Sequence, residues 1–435
     1  MPSIYKFPLK MHVGASSTSI VKKGEKIERG QCIAEPQGLG AKIHSSISGD
    51  VLEVNENEVI IEGYENQSTD YVKIKECETI LEAIYEAGIV GAGGAGFPTH
   101  VKFSGTSKIE YIIANCVECE PLLKHNIKLI EENPEILLKG ITYAMEAANA
   151  GKGIIAIKKK NKKAIESIKM VIGNYENITI AELKDLYPMG EERAIINEIF
   201  DKWLEPTQLP LDANCIVLNC ETLSNITRAV EYGKPVIDKD VTVAGKLKNE
   251  KKQEIFFQVP IGTPVKELIE KSGGIDGDYG EIVLGGPYTG TAGNYENSVI
   301  TKTSGGVIVT IPMPEFKGKL GLVVCACGAD EKRLRDIAEK MGATVTEAVK
   351  CKNVEVVRGV NKCKTPGTCP GQTIGVLQLK KSGAERILIS NCSDCSNTIM
   401  NSAPKMGLGV YHHTDHIFRT VDHELTRRLE LSVSR

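Results

Sequence analysis

The chain has 435 residues, room for about three domains each with its own core. Its net charge of −3 gives no electrostatic case for nucleic acid, and no apolar run approaches the roughly 18 residues of a membrane span. The start, Met-Pro-Ser-Ile-Tyr-Lys, lacks a signal-peptide core, so a cytoplasmic protein is expected, and thirteen cysteines there argue for redox chemistry, metal binding or packed thiols over a static disulfide framework.

Residues 1–75 read as short strands broken by glycines, around 21–27, 30–34 and 43–51. Residues 76–240 alternate helical and strand patterns. A helix is expected over 78–87, buried strands at 111–114, 154–157 and 216–218, and a lysine-rich helix over 162–172. Tyr187-Pro188-Met189-Gly190 opens a further helix. Residues 241–315 turn β-rich, with one helix over 265–271. In residues 316–435 the strand 320–324 runs into Cys325-Ala326-Cys327-Gly328, a helix follows over 330–340, and a later strand, 386–389, runs into Asn391-Cys392-Ser393-Asp394-Cys395. The fold class is therefore α/β and multidomain. Seven of the thirteen cysteines lie in the last quarter, which is where thiol chemistry is expected.

Gly91-Ala92-Gly93-Gly94-Ala95-Gly96-Phe97-Pro98, with Lys102 a turn later, lets backbone approach a flat or phosphorylated ligand without Cβ collisions. The spacing fits neither the Rossmann fingerprint nor the P-loop. Asn115-Cys116-Val117-Glu118-Cys119-Glu120-Pro121 follows an apolar strand, and Leu218-Asn219-Cys220-Glu221-Thr222 follows another. Together these three motifs resemble the flavin-binding subunit of respiratory complex I and the RnfC component of the Rnf electron-transport complex. The resemblance implies FMN over Gly91, Gly93, Gly94 and Gly96, with Lys102 near the phosphate and Asn115 and Asn219 beside the flavin. It implies NADH in a pocket lined by Glu118 and Glu120. It also implies a barrel-sandwich hybrid fold for residues 1–75, where Lys42, lacking the flanking Met or Asp of a lipoyl lysine, suits docking rather than modification. Residues 241–315 resemble the β-grasp domain that follows the flavin domain in those relatives. Val117 and Leu218 stand where the complex I relatives have Asp and Asn, which keeps open a flavin-less thiol adaptor or a docking scaffold.

Cys325 and Cys327 follow a strand and precede a helix, where a reactive thiolate is favoured, and a Cys-x-Cys disulfide closes a small, readily reduced ring. Cys392 and Cys395 have redox-motif spacing after another strand. The two pairs converge either as dithiols or as a four-thiolate metal or iron–sulfur site. Cys351, Cys363 and Cys369 read as structural, and Cys116 and Cys119 as packed thiols. Thr414 reads as a helix N-cap that leaves His412 outside the helix, so His412, His413 and His416 are not assigned to a metal. The tail lacks the Cys-x2-Cys-x2-Cys-x3-Cys-Pro runs of RnfC proteins. It is instead similar to the proline reductase-associated electron-transfer proteins of amino-acid-fermenting anaerobes, with cysteine at every position where some members carry selenocysteine. That resemblance implies passage of electrons from NADH, through flavin and tail thiols, to a D-proline reductase as protein partner.

Overall fold

The computed structural model describes residues 3–94, 96–105, 108–250 and 252–426. Its first module holds two antiparallel sheets. One has the order Ile4–Pro8, Glu58–Gly63, Gly49–Val54, Lys26–Ile27, and the other Ser17–Ser19, Cys32–Pro36, Ile43–His44. Alternate residues such as Tyr5 and Phe7, or Val59 and Ile61, point into the core between them. Lys42 is held by Glu86 at 2.9 Å and Glu35 at 3.1 Å, so it joins this module to the next.

The second module is a four-stranded parallel sheet in the order Ile178–Leu183, Lys152–Lys158, Tyr111–Cys116, Cys215–Asn219. Parallel strands covered on both faces read as unbroken apolar runs, and these do. Ile112, Ala114 and Cys116 face the helices Ile80–Glu86, Pro134–Ala148 and Cys220–Tyr232, while Ile113 faces Glu192–Phe200 across the sheet. The helix expected over 78–87 is shorter, Ile80–Glu86. Thr79 takes an extended conformation and its hydroxyl accepts the Glu82 N–H at 3.1 Å, which ends the helix N-terminally.

The third module is a mixed five-stranded sheet, Gln253–Pro260, Asp238–Gly245, Gly306–Val309, Ile282–Leu284, Thr291–Gly293, with the helix Val265–Lys271 packed on it. The fourth is again a parallel sheet: Thr344–Lys350, Lys319–Val324, Arg386–Ile389, Gly409–His412. Its crossovers carry the helices Glu331–Lys340, Thr373–Lys381 and Ser393–Ser402 and the hairpin Val354–Val357/Val360–Cys363.

Buried ionic contacts hold the modules together. Arg29 of the first grips both oxygens of Asp238 in the third, at 2.7 and 2.8 Å. The fully buried Lys302 of the third donates to the Lys42 and Gly88 carbonyls of the first and second. Burial pushes its ammonium down to about 7. Glu281 of the third takes Arg333, Lys340 at 2.8 Å and His416 at 2.9 Å from the fourth. Burial alone would raise the Glu281 carboxyl. The hydrogen bonds from His416, Arg333 and Lys340 reverse that and hold it well below the usual carboxylate range.

Glu281→Gln leaves Arg333 and Lys340 with only the more exposed Asp336 as counter-charge, a loss of about 3 kcal/mol at most, the low end for breaking a buried pair. The fourth module should then unfold ahead of the rest, and the 312–318 connector should become the first site of limited proteolysis. A single unfolding transition with wild-type cleavage would show that this contact does not join the two modules.

Candidate functional site

Both parallel sheets aim their carboxyl edges at the same region, the edge where open α/β sheets present ligand-binding loops. On the second module's sheet, Asn115 and Asn219 lie side by side in register at the ends of adjacent strands. The Asn219 side-chain oxygen accepts the Glu221 N–H at 2.9 Å and caps the thirteen-residue helix Cys220–Tyr232. The glycine loop is pinned to that helix start. Ala92 N–H donates to Thr222 Oγ1 at 3.0 Å, and the loop closes on itself through Gly91 N–H to the Phe97 carbonyl at 2.9 Å. A Cβ at Gly93 would stand 3.1 Å from the Asn219 amide nitrogen, so glycine suits this close approach. Gly94 has φ +95, and a Cβ there would meet nothing within 4 Å: the tip of the loop faces open space.

Lys102 has a different setting from the one expected. Its ammonium lies 2.8 Å from the Glu192 carboxylate and 2.8 Å from the Val217 carbonyl, beneath the end of the strand Cys215–Asn219. Glu120 also differs. It accepts hydrogen bonds from Tyr288 N–H at 2.8 Å, Thr289 N–H at 2.9 Å and the Thr289 hydroxyl at 2.6 Å, so its carboxylate clamps a turn of the third module. Gly286 makes room for it, since a Cβ there would lie 2.2 Å from Glu120 Cγ.

Glu118 is the acid left for chemistry. It sits at φ +43, and its Oε2 is cut off from solvent without a hydrogen-bond partner. Burial pushes its carboxyl up to about 8, against a bond from Asn126, so at neutral pH it is the protonated acid. It lines a cleft of about 940 Å³ between the second, third and fourth modules, together with Cys119, Lys158, Tyr187, Tyr288 and Ser393.

Across this cleft the fourth module collects its cysteines. Cys325, Cys351 and Cys392 lie just beyond the ends of three adjacent parallel strands. Cys327 lies on the loop after Cys325, Cys363 ends the hairpin, and Cys395 is in the first turn of Ser393–Ser402. All six are buried in one cluster. Gln372 donates to the Cys351 sulfur at 3.0 Å and the Cys395 sulfur at 3.7 Å. Cys351 and Cys363, read from sequence as structural, are therefore partners of the two expected pairs. The clue was available for Cys351, which follows a strand in the same way as Cys325.

The thiolate assignment is corrected as well. The helix after Cys325 and Cys327 starts only at Glu331, capped by Asp330, whereas Cys392 itself occupies the N-cap position of Ser393–Ser402. Hydrogen bonds from Cys327 and Cys395 lower the Cys392 thiol, and those from Cys325 and Cys395 lower Cys351. Cys327 is raised by its contacts with Cys325, Cys363 and Cys392, and Cys325 is raised too. The lowered thiols are Cys351, Cys363 and Cys392, and of these Cys392 also stands at a helix N-terminus. Among the described residues no group of three or more His, Cys, Asp or Glu is set to hold a metal ion. The tail histidines spend their nitrogens on protein: His412 on Asn391 and Thr414, His413 on the Tyr288 carbonyl, His416 on Glu281.

One short segment touches both chemistries. Asn115 Nδ2 donates to the Gly190 carbonyl at 3.0 Å, and Gly190 N–H donates to the Cys119 sulfur at 3.3 Å. Three residues earlier the Tyr187 hydroxyl donates to the Cys327 carbonyl, and its ring stacks on Tyr288 with centroids 3.6 Å apart.

Two variants probe this geometry. Gly94→Val places a β-branched side chain at φ +95 and into the open space before the loop, and should abolish ligand binding there while far-UV circular dichroism stays unchanged. Glu118 binds its proton more tightly folded than unfolded. Its contribution to stability is full below about pH 4.3 and is lost as pH rises through about 8. Glu118→Gln should flatten the fall in melting temperature between about pH 5 and pH 8. An unchanged slope would place the titrating group elsewhere.

Residues 84–228 match the Nuo51 FMN-binding domain, and residues 1–75 match the RnfC barrel sandwich hybrid domain. The RnfC-type component of the Na+-translocating ferredoxin:NAD+ oxidoreductase complex of Acetobacterium woodii is 30% identical over 327 residues, covering 71% of this chain and 73% of that protein. Its counterpart in the proton-translocating ferredoxin:NAD+ oxidoreductase complex of Clostridium ljungdahlii is 31% identical over 322 residues, 69% of each chain. The cobalamin reductase PduS of Citrobacter freundii is 36% identical over 234 residues, 54% of this chain and 50% of that one. The chain therefore belongs to the RnfC family of ferredoxin:NAD+ oxidoreductase components, and is an electron-transfer oxidoreductase with an FMN-binding domain.

Proposed function

We propose that this chain oxidises NADH and delivers the electrons, through its tail cysteines, to a D-proline reductase. The observation that carries the route is the Tyr187–Gly190 segment. It is bonded to Asn115 at one sheet edge and to the Cys327 carbonyl at the other, so four residues of chain bridge the flavin motifs and the thiols. The naming of the acceptor rests on the likeness of the Cys-x-Cys and Cys-x2-Cys tail to the proline reductase-associated proteins. No helix among the described residues is long and apolar enough to cross a membrane.

The residues present suit FMN. Gly94 leaves free space at the loop tip, Gly93 packs flat against Asn219, and the unpartnered Glu118 oxygen lies on the adjoining cleft. Gly91, Gly93, Gly94, Gly96, Asn115 and Asn219 would hold the group. When bound it supplies a two-electron acceptor for hydride that can release electrons onward. The chain's own residues do the rest. The start of Cys220–Tyr232 presents the positive end of a helix dipole behind the loop. Glu118, neutral at pH 7, holds a proton beside the cleft without adding negative charge where a dinucleotide would dock. Lys102 neutralises Glu192 at the same edge, which keeps a second carboxylate from repelling phosphate. Glu120 closes the third module over the site.

The test separates the two halves of the route. In Cys325→Ser/Cys327→Ser, NADH should still bleach the flavin absorbance in stopped flow within about twofold of the wild-type rate, while coupled turnover with D-proline reductase should fall at least roughly 100-fold, about 2.7 kcal/mol. Wild-type coupled turnover would remove the tail from the route. Absence of flavin absorbance from the purified protein would favour the thiol adaptor instead.

A further inference from the structure

Two outside modules meet the glycine loop at Gly96. Val13 N–H of the first module donates to the Gly96 carbonyl at 2.9 Å. Thr303 of the third module closes on the same residue, since a Cβ at Gly96 would stand 3.1 Å from Thr303 Cγ2. Thr303 belongs to a turn that is bonded within itself. The Thr301 hydroxyl meets the Thr303 hydroxyl at 3.3 Å and the Ser304 hydroxyl at 2.9 Å, and Thr301 N–H donates to Ser304 Oγ at 2.9 Å. Such a turn moves as a unit, so Thr303 stands wherever its neighbour Lys302 is anchored.

Lys302 is anchored deep inside. Its side chain is 2% exposed, and its ammonium donates to the Lys42 carbonyl of the first module and to the Gly88 carbonyl of the second at 2.7 Å. Gly88 lies three residues before Gly91, where the loop begins. It has φ +65, and a Cβ there would stand 2.7 Å from Lys302 Nζ and 2.2 Å from the Lys42 carbonyl oxygen, so glycine is what lets the ammonium in. The Glu35 and Glu86 carboxylates both go to the Lys42 ammonium, and among the described residues Lys302 bonds to carbonyl oxygens alone. A cation buried without a counter-charge is a poor source of stability, and an apolar side chain of similar length would fill the same space with less desolvation. What the ammonium adds is direction: it fixes two carbonyls, from two modules, against a third.

We propose that Lys302 is a positioning residue for the FMN loop. It holds the chain entering the loop through its own bond to Gly88, and the chain leaving it through the contact of Thr303 with Gly96. The inner bonds, Gly91 to Phe97 and Ala92 to Thr222, give the loop its shape. Lys302 sets where that shape stands against the first and third modules. The tip cannot hold itself, because Gly94 faces open space, so the grip on a ligand depends on the anchored ends. This inference rests on the reading above that the glycine loop holds FMN.

The full-length protein is saturated with FMN and desalted, and the release of FMN is followed by its rise in fluorescence. Lys302→Met keeps the length of the side chain and removes the donors; it should release FMN at least roughly tenfold faster than wild type. The visible circular dichroism of the flavin still bound should change with it, a signature that a loss of global stability alone does not move. Thr303→Ser removes only the methyl that meets Gly96, and should release FMN roughly threefold faster at an unchanged melting temperature. Thr303→Val keeps that methyl and should stay within about twofold of wild type. A lower melting temperature in Lys302→Met with wild-type release and wild-type flavin dichroism would overturn the proposal. If Lys302→Met does not fold, Thr303→Ser decides, and wild-type release from it overturns the proposal equally. Gly94→Val separates this inference from the reading beneath it. Loss of FMN from Gly94→Val beside wild-type release from Lys302→Met and Thr303→Ser removes only the role of Lys302. Full retention of FMN by Gly94→Val, or a wild type that takes up no FMN, removes the loop as the flavin site and this inference with it.

Discussion

Tyr187 donates its hydroxyl hydrogen bond across a module boundary, and the layout of the redox region depends on that contact. Its ring is buried and stacked on Tyr288, so the hydroxyl has to find a partner inside the protein. The partner it finds is the main chain of Cys327. Two parallel sheets that are separate in sequence are thereby held edge to edge, each contributing the end at which α/β folds do chemistry. Glu120 and His413 reinforce the arrangement, both through the Tyr288 turn of the third module.

Six thiols in one apolar cluster would be an electrostatic liability if they ionised together. The thiols answer one another instead, with the lowered members accepting from the raised ones. Gln372 adds a neutral donor. The same low dielectric that makes an isolated buried charge expensive strengthens these mutual bonds. A buried group of this kind exchanges electrons poorly with the solvent and more readily along its own contacts, which suits an electron-transfer protein.

The module contacts follow a different logic. Arg29 with Asp238, Lys302 with two carbonyls, and Glu281 with Arg333 are buried, and buried ionic contacts add little net stability because desolvation offsets the attraction. What they add is position. An apolar interface tolerates sliding, whereas a bidentate guanidinium–carboxylate pair has one geometry. The cleft needs three modules in register, and these contacts supply the register.

Much of the molecule was legible in the chain. The unbroken apolar runs announced buried strands, and the pattern put Asn115, Asn219, Cys325 and Cys392 at or just past strand ends, where the structure has them. These are local properties: periodicity, turn chemistry and the place of a residue at the end of an element depend on neighbours in sequence. The occupations of Lys102 and Glu120, the neutral state of Glu118, and the recruitment of Cys351 and Cys363 to the thiol cluster were not legible. Lys102 is taken up by Glu192, Glu120 by a turn at Thr289, Cys363 by Cys327 and Cys351 by Cys325, all partners distant along the chain, and Glu118 is neutral because the fold around it excludes water. Charge state and reactivity follow from what surrounds a side chain after folding. The sequence determined which groups could react, and only the tertiary structure decided which were clamped, which were neutral and which met.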